Sequence, residues 1–480
     1  MKKQIHSCCI IIIWIALWQI AAEAIHNRII FVGPLETLEA LVYQLALADF
    51  WQTIFSSFLR ISLGFLSAFF LGILLGAAAA RFLLIREFLE PFISLLQSVP
   101  VASFVILALI WIGSGRLSIL VTFLVVFPVI YRNVLKGISQ TDPKMMEMAR
   151  VYHLKFRKRL LYLYRPAVMP YLQAGCSVAL GMAWKSGIAA EVIGVPVHSI
   201  GEKLYMAKIY FSTAELFAWT FVIILVSKLF EKLFLYLLGF AACDLNASGR
   251  KNERKDSVTL YAKRTETKQD LSESCVIRFG TENTGDPEKI TVSHLRKSYG
   301  EHGIYDDLSL TLEPGRIYCL LGSSGSGKTT LLRILMGLEC FDHGKITGLE
   351  QKQISTVFQE DRLFDFLSPL KNIRMVCEPS VSDRDIRILL EQFLDAEAVE
   401  RPVSELSGGM KRRVAVARAL AAHSDLILMD EPFTGLDDDT RNRVIRLIQM
   451  YLGGRTLLLV THQEEDVGKL NGTAVRITEV

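Results

Sequence analysis

A glycine-rich segment in the second half of the chain has the spacing of a loop that binds phosphate. Residues 322–329 read GSSGSGKT, which fits GxxxxGK[ST] between an apolar strand-like run and a helix-like run. Glycines let backbone N–H groups close around phosphate oxygens, and the positive end of the following helix points at them. The pattern predicts a nucleotide site, with Lys328 on the β- and γ-phosphates and the Thr329 hydroxyl on Mg²⁺. The predicted contacts are Gly322, Ser323, Ser324, Gly325, Ser326, Gly327, Lys328, Thr329 and Thr330.

About a hundred residues later, the apolar run LILMDEP (residues 426–432) ends in two carboxylates. Buried strands exclude charge, so acids at the carboxyl end of such a strand usually have a function there. Asp430 is predicted to hold Mg²⁺ through water, and Glu431 to act as the general base that polarises the attacking water. The alternative is a solvated loop after an edge strand, without a catalytic function.

The first half of the chain is far more apolar than a soluble nucleotide-binding domain. The 480 residues are 51% hydrophobic and 21% charged, with a mean hydropathy of +0.34 and a net charge of +4. Six apolar runs are each long enough, at about 20 residues, to cross the hydrocarbon core of a lipid bilayer. The predicted spans are residues 8–25, 54–80, 91–112, 117–135, 170–191 and 214–238.

The distribution of basic residues predicts the orientation of these spans. With the N-terminus inside, thirteen Lys and Arg residues fall in inner segments and four in outer segments. Both ends, and therefore the phosphate loop, are predicted to be cytoplasmic. Residues 8–25 also fit a signal peptide, since Lys2 and Lys3 precede an apolar core and Ala22-Glu23-Ala24 resembles a cleavage site.

The basic loop between the fourth and fifth runs, residues 147–170, carries a further pattern. It could be a juxtamembrane stretch that touches anionic lipid. It also resembles the cytoplasmic coupling loop of ABC import permeases, because Glu147, Ala149 and Pro166 fall in register with that motif. His153 stands where the family has a glycine, a residue that permits a sharp turn. Residues 31–240 as a whole resemble permeases of the nitrate/sulfonate/taurine import family, for example in FVGPLETLEALV and AWKSGIAAEVIG.

The segment LSGGMKRRVAVARAL, residues 406–420, resembles the signature sequence of ABC ATPases. The resemblance implies that Ser407, Gly408 and Gly409 bind the γ-phosphate of ATP held by the partner subunit, so two copies are needed for each site. It also implies roles for four further residues: Tyr299 stacks on adenine, Gln359 is the coupling glutamine and counts among the catalytic and the Mg²⁺-binding residues, Asp437 lies at the dimer contact, and His462 is a catalytic residue that binds the γ-phosphate.

The expected architecture is multidomain: an all-α transmembrane bundle of six spans, then an α/β P-loop ABC ATPase domain. The boundaries are residues 1–240 for the permease domain, 241–287 for a flexible polar linker and 288–480 for the ATP-binding domain. Only 18 residues (480 − 462) follow His462, so we expect no C-terminal regulatory domain.

The resemblance implies ATP-driven import of a small solute across the bacterial cytoplasmic membrane. The expected substrate is a sulfonate, nitrate or a vitamin precursor, and the expected partners are a second copy of the chain and an extracytoplasmic solute-binding protein; nucleic acid is not expected. An ABC exporter or lipid-transporting half-transporter is the alternative. A scaffold with a degenerate ATPase would lack Lys328, Glu431 or His462, and all three are present.

Two charges, Lys185 and Glu191, interrupt the apolar run from Tyr171 to Val197. Charged side chains inside a membrane are costly and tend to face a partner or a cavity. One interpretation is that the two pair with each other or with a neighbouring span, or reach the outer interface. The other is that Lys185 lines the transport pathway and attracts an anion.

Overall fold

The computed structural model describes residues 2–25, 27, 29–260, 288–323 and 325–477. The chain divides into two compact units. The first, called the helical unit below, comprises Met1–Thr141 and Tyr164–Lys251. The second, called the sheet unit, comprises Asp142–Leu163 and Asn252–Val480, so the basic loop between two long helices belongs to the sheet unit.

The first half of the chain forms helices, and the long ones coincide with apolar runs of the sequence. In chain order they are α1 (Lys2–Ile25), α2 (Pro34–Leu45), α3 (Ala48–Arg81), α4 (Leu83–Ser98), α5 (Val101–Ile112), α6 (Ser114–Ser139), α7 (Pro143–Val151), α8 (Phe156–Arg159), α9 (Arg165–Gly194), α10 (Ile200–Ile209) and α11 (Thr213–Leu260). Helices α7 and α8 lie in the sheet unit, and a π-helical turn, Leu160–Tyr164, joins α8 to α9.

Three helical segments in the described part of the chain are long and apolar enough to cross a membrane: Ala48–Arg81, Ser114–Ser139 and Phe156–Gly194. A fourth span results if the bent pair Leu83–Ser98 and Ser103–Ile112 counts as one. The bend is 108°, and α4 ends before Pro100 because a residue that precedes proline is disfavoured in the helical region.

The predicted count of six spans is therefore not confirmed. The first predicted span was residues 8–25. The apolar stretch of helix found there, Ile12–Ile25, is shorter than the three candidate spans. At the sixth, α11 carries Lys228, Glu231 and Lys232 within its apolar part. Helix α11 continues to Leu260, whereas residues 261–287 lie outside the described residues, so the flexible linker of residues 241–287 stays a prediction.

Glycines allow α3 to pack closely against α6 in the core of the helical unit. A Cβ added at Gly64 would lie 2.6 Å from the Ile119 carbonyl oxygen, and one at Gly72 would lie 2.9 Å from Ile130 Cγ2. Small residues at such contacts let helix backbones approach, which is how apolar helices associate when burial from water contributes little. Substitution at either glycine would push the two helices apart.

The charge at Glu191 is paired with a neighbouring helix, not with Lys185. Glu191 is fully buried on α9; its Oε2 accepts from Ser57 Oγ at 2.7 Å, and Arg60 of α3 lies 3.7 Å from its Oε1. The Gly201 amide donates to the same carboxylate at 3.3 Å. Lys185 is exposed and forms no ion pair with any described residue. The interpretation of a structural pair thus holds for Glu191 alone.

The sheet unit contains two sheets. Its strands are β1 (Ile290–Tyr299), β2 (His302–Leu312), β3 (Ile317–Leu321), β4 (His343–Thr347), β5 (Ile354–Val357), β6 (Leu426–Asp430), β7 (Thr456–Val460) and β8 (Thr473–Arg476). Strands β2, β1 and β4 form an antiparallel sheet, and the order β5-β6-β7-β3-β8 forms a parallel one. Every residue of β6 and β7 is buried, as expected for strands of a sheet that is covered on both faces.

Helices follow the strands of the parallel sheet and surround it. They are α12 (Lys328–Leu335), α13 (Pro369–Arg374), α14 (Asp383–Phe393), α15 (Gly408–Ala421), α16 (Asp438–Tyr451) and α17 (Glu464–Leu470). The segments after β3, β5, β6 and β7 all leave the sheet at its carboxyl edge, because the strands are parallel and adjacent. Four predicted parts of the site therefore lie at this edge: the phosphate loop, Gln359, the acidic pair Asp430 and Glu431, and His462.

Candidate nucleotide-binding site

The phosphate loop joins the end of β3 to the start of α12, as predicted. Gly325 and Gly327 have φ of 93° and 87°, a backbone region that favours glycine. A Cβ at Gly327 would lie 2.6 Å from both Ile304 Cγ2 and the Tyr305 hydroxyl. The Tyr305 hydroxyl donates to the Gly327 carbonyl, and burial raises the pKa of this tyrosine. Ser324 lies outside the described residues.

Lys328 is the buried cation of the loop. Its ammonium donates to the carbonyl oxygens of Gly322 at 2.9 Å and Ser323 at 2.5 Å, and to Ser326 Oγ at 3.4 Å. The side chain is only 6% exposed, so its charge is concentrated inside the loop. This arrangement places the ammonium where the loop backbone would hold phosphate oxygens.

Thr329 and Asp430 form a hydroxyl–carboxylate pair that suits Mg²⁺. Thr329 Oγ1 donates to Asp430 Oδ2 at 2.9 Å, while Asp430 Oδ1 is buried and has no hydrogen-bond partner among the described residues. Desolvation raises the pKa of Asp430, and a cation beside the free oxygen would offset that effect. Oxygen ligands of this kind are the ones Mg²⁺ prefers. No cluster of three or more His, Cys, Asp or Glu side chains that could hold a metal occurs in the described part of the chain.

Gln359 lies beside this pair although it comes from a different strand. A cavity of about 150 Å³ is lined by Thr329, Asp430 and Gln359, together with Lys144, Arg333, Glu360 and Arg362. Gln359 follows β5 by two residues, and its backbone carbonyl accepts from Arg412 Nη2. The three predicted metal contacts thus face one cavity.

Two predicted catalytic residues, Glu431 and His462, form a hydrogen-bonded pair. Glu431 has φ of 48°, a strained conformation for a non-glycine residue that costs about 1–3 kcal/mol and is found mainly at functional sites. His462 Nε2 donates to Glu431 Oε1 at 2.7 Å, and Thr434 Oγ1 donates to Oε2 at 3.2 Å. The carboxylate is therefore oriented by two side chains and remains partly exposed.

The remaining residues predicted to contact ATP make no described side-chain hydrogen bond to Lys328, Asp430 or Glu431. Ser407 caps α15, where its Oγ accepts from the Met410 amide at 3.4 Å, and the adjoining Gly408 is exposed. Asp437 caps α16 by accepting from the Thr440 amide at 2.9 Å, a bond that lowers the pKa of its carboxyl. Tyr299 ends β1 and is 49% exposed. The predicted roles of Tyr299, Ser407, Gly408, Gly409 and Asp437 stay predictions.

Two family models match separate parts of this chain. Residues 68–238 match a binding-protein-dependent transport system inner membrane component, and residues 305–434 match an ABC transporter. The aliphatic sulfonates import ATP-binding protein of Nocardia farcinica is 38% identical over 189 residues, which are 38% of this chain and 76% of that protein. The chain belongs to the ABC transporter family.

Other relatives of this ABC transporter carry different names. The Nod factor export ATP-binding protein of Cupriavidus metallidurans is 35% identical, over 38% of this chain and 65% of that protein. The Fe(3+) ions import ATP-binding protein of Rhizobium etli is 38% identical, over 38% of this chain and 56% of that protein. The dimeric structure of a bacterial ABC transporter cassette is 26% identical, covers 39% of this chain and 94% of that one, and has a TM-score of 0.36.

This ABC transporter therefore combines a permease domain and an ATPase domain in one polypeptide, which confirms the predicted family and the order of the two domains. Its ATPase domain binds ATP and hydrolyses it in a reaction coupled to transport across a membrane. Within the described residues, the strands and loops that hold the acids and the phosphate loop are those of an α/β ATPase fold.

The segment Asp142–Leu163, which contains the start of the predicted coupling loop and is called the coupling loop below, packs on the ATPase domain inside the sheet unit. Glu147 on α7 accepts two bonds from Arg333, at 2.9 and 3.2 Å, and one from Arg362 at 2.8 Å. The bonds from Arg333 first, and then from Arg362, lower the pKa of the Glu147 carboxyl. A fork of this kind is among the stronger side-chain contacts in proteins. Met148 and Ala149 are buried in the same apolar cluster as β3 and α12.

His153 adopts the turn that the family motif assigns to glycine. Its φ is 47°, its amide donates to the Arg150 carbonyl, and the Leu154 amide donates to the Ala149 carbonyl, both at 3.0 Å. These two bonds are the pattern that closes a helix with a left-handed residue after its last turn. A histidine therefore closes α7 with a left-handed turn of the kind that glycine usually makes.

The prediction from sequence missed the arginines that hold the segment around Gln359. Arg412 donates to the carbonyls of Phe358 and Gln359, and Arg418 donates to those of Asp361 and Arg362. Both arginines lie on α15 and are nearly buried, at 7% and 1% exposed. The signal was present in KRRVAVAR, where charged residues interrupt a helix whose other residues are small and apolar.

Proposed function

We propose that this ABC transporter imports a small anion, such as a sulfonate or nitrate, or a vitamin precursor, across the bacterial cytoplasmic membrane. In this proposal each chain has six spans, two chains form the working homodimer, and an extracytoplasmic solute-binding protein delivers the substrate. The observation that carries the proposal is the coupling loop: Glu147 meets Arg333, five residues after Lys328 on the same ATP-binding helix. The permease match to a binding-protein-dependent system supports import over export.

The chemistry follows from the residues at the carboxyl edge of the sheet. The loop backbone and Lys328 bind the phosphates of ATP, while Thr329, Asp430 and Gln359 would hold Mg²⁺. When bound, Mg²⁺ neutralises charge that develops on the β- and γ-phosphates. Glu431 orients and deprotonates the attacking water, and His462 holds that carboxylate in place.

Two copies are proposed because the signature segment is exposed. Gly408 begins α15 directly after its cap Ser407, and both residues are exposed at the positive end of this helix, which favours an anion. The γ-phosphate of ATP bound to a second chain is the proposed anion. Closure of two ATPase domains around ATP, and opening after hydrolysis, would then move the coupling loop.

The direction of transport can be measured in the native host. We expect cells that lack the chromosomal gene to recover uptake of labelled ethanesulfonate or nitrate with the wild-type chain, but not with Glu431→Gln. Import predicts more label inside cells with the active chain, since hydrolysis drives accumulation. Less label inside cells with the active chain than with the inactive one would instead demonstrate export and contradict the proposal.

Lys185 supports an anionic substrate. It lies nine residues before the end of α9, about 14 Å along the helix, and therefore well inside a candidate span. A cation here is costly in lipid, and no described residue neutralises it. In a homodimer the lysines of both chains would attract an anion in the pathway, which is the proposed role.

We expect Lys185→Met to lower the rate of uptake about tenfold, because it keeps side-chain length and removes the charge that stabilises an anion. Membrane expression and basal ATP hydrolysis should stay at wild-type values. Lys208→Met is the matched control, since Lys208 is exposed on α10, outside the candidate spans. Uptake that is equal in the two variants would contradict a pathway role for Lys185.

A further inference from the structure

The coupling loop makes a second contact with the ATPase domain, through Tyr152. Tyr152 follows the last residue of α7, and its hydroxyl donates to the Thr356 carbonyl at 2.7 Å. The Thr356 amide donates back to the same hydroxyl at 3.2 Å. One side-chain oxygen thus satisfies both backbone groups of one residue.

Thr356 belongs to β5, the edge strand of the parallel sheet. Among the described strands, β5 pairs with β6 alone, so the backbone groups on its other side need other partners. Tyr152 takes the place of a neighbouring strand at this point. Because Thr356 is fully buried, loss of the hydroxyl would leave a buried amide and carbonyl unsatisfied.

The contact lies three residues before Gln359. Strand β5 ends at Val357, and Gln359 then faces the cavity that it shares with Thr329 and Asp430. The position of β5 along β6 therefore determines the position of the Gln359 backbone, and with it the reach of the Gln359 side chain. Arg412 holds the carbonyls after the strand, whereas Tyr152 holds the strand itself.

The ring of Tyr152 also contacts α15, the helix that follows Ser407. The guanidinium of Arg418 on α15 lies 5.3 Å from the ring centroid, within the range of a cation–π contact. Arg418 also donates to the Arg362 carbonyl at 2.7 Å, and Arg362 bonds Glu147. Tyr152 is therefore held in a network that is separate from its hydroxyl contacts.

We propose that Tyr152 is a positioning residue for ATP hydrolysis: its hydroxyl fixes β5 and so places Gln359 at the site of Thr329 and Asp430. The proposal rests on the proposed role of Gln359 at that site. It makes the coupling loop a part of the hydrolysis machinery, in addition to its contact through Glu147. The rate of hydrolysis would then depend on how the loop is seated.

The test uses the full chain in lipid nanodiscs and the variant Tyr152→Phe, which keeps the ring and removes only the hydroxyl. We expect kcat for ATP hydrolysis to fall about tenfold while KM for ATP stays within about twofold, since contacts to the loop and adenine are untouched. Amide hydrogen exchange in residues 354–362 should speed up, because the Thr356 amide loses its acceptor. Tyr162→Phe is the matched control, because Tyr162 lies in the same loop and its hydroxyl bonds no described residue.

Gln359→Ala separates failure of this inference from failure of the proposed role of Gln359. If Gln359→Ala lowers kcat and Tyr152→Phe does not, Tyr152 has no positioning role. If Gln359→Ala leaves kcat unchanged, the proposed role of Gln359 is wrong and the path through β5 is overturned with it. Faster exchange in Tyr152→Phe with an unchanged kcat would show a structural contact only, and would also overturn the proposal.

Discussion

Glu431→Gln is expected to lower ATP turnover by about 100- to 10,000-fold, the usual contribution of a general base. The amide has the shape of the carboxylate and can still accept the bond from His462 through its oxygen. It cannot take a proton from water at neutral pH. ATP binding should persist, because Lys328 and the loop backbone are unchanged, so the variant should accumulate as an ATP-bound closed dimer. Release of labelled phosphate and retention of labelled ATP measure the two effects.

The matched control for this variant is Glu464→Gln. Glu464 is exposed at the start of α17 and pairs with Arg476 at 2.7 Å. It is close in sequence to His462 but is not a partner of Glu431. Its replacement removes the same charge and should leave turnover near that of the wild type. Near-normal hydrolysis by Glu431→Gln would refute the assignment of the base. Loss of ATP binding in this variant would show that the change acts through folding.

The core of the ATP site could be predicted because its residues stand at the carboxyl ends of apolar, strand-like runs. The phosphate loop follows β3, Asp430 ends β6 and Glu431 comes next, so strand prediction in a parallel sheet brings all three to one edge. The hydrogen bond from Thr329 to Asp430 agrees with that reasoning. The pairing of Glu431 with His462 follows from the adjacency of β6 and β7.

Contacts that depend on the packing of distant segments could not be predicted. Nothing in the sequence around Glu191 identifies Arg60 and Ser57 as its partners, because the choice is made by the way α3 packs on α9. The run KRRVAVAR marks Arg412 and Arg418 as charged residues in an otherwise apolar helix, but their partners are backbone carbonyls, which side-chain type does not reveal. The sequence indicates a sharp turn at residue 153 only through the glycine that the family has there. His153 nevertheless has a left-handed φ, and two backbone hydrogen bonds close the turn around it.

Ser407→Arg is expected to eliminate hydrolysis in the homodimer, although it leaves the phosphate loop of its own chain intact. The added bulk and charge would fill the exposed start of α15, where the γ-phosphate of the partner's ATP is proposed to bind. Lys328→Ala should also be inactive, because it removes the ammonium inside the loop. Ser404→Arg is the matched control, since Ser404 is exposed three residues earlier and should tolerate the change.

Mixed dimers decide whether each site is shared between chains. Two affinity tags isolate dimers of one Ser407→Arg chain and one Lys328→Ala chain; a shared arrangement puts both defects in one site and leaves the other intact. Such dimers should hydrolyse ATP at up to about half the wild-type rate, far above either homodimer. Dimers of a wild-type chain with a Lys328→Ala/Ser407→Arg chain carry the same substitutions, yet each shared site then has one defect and should be inactive. Sites formed within single chains would reverse this order, because only the second dimer would keep an intact site.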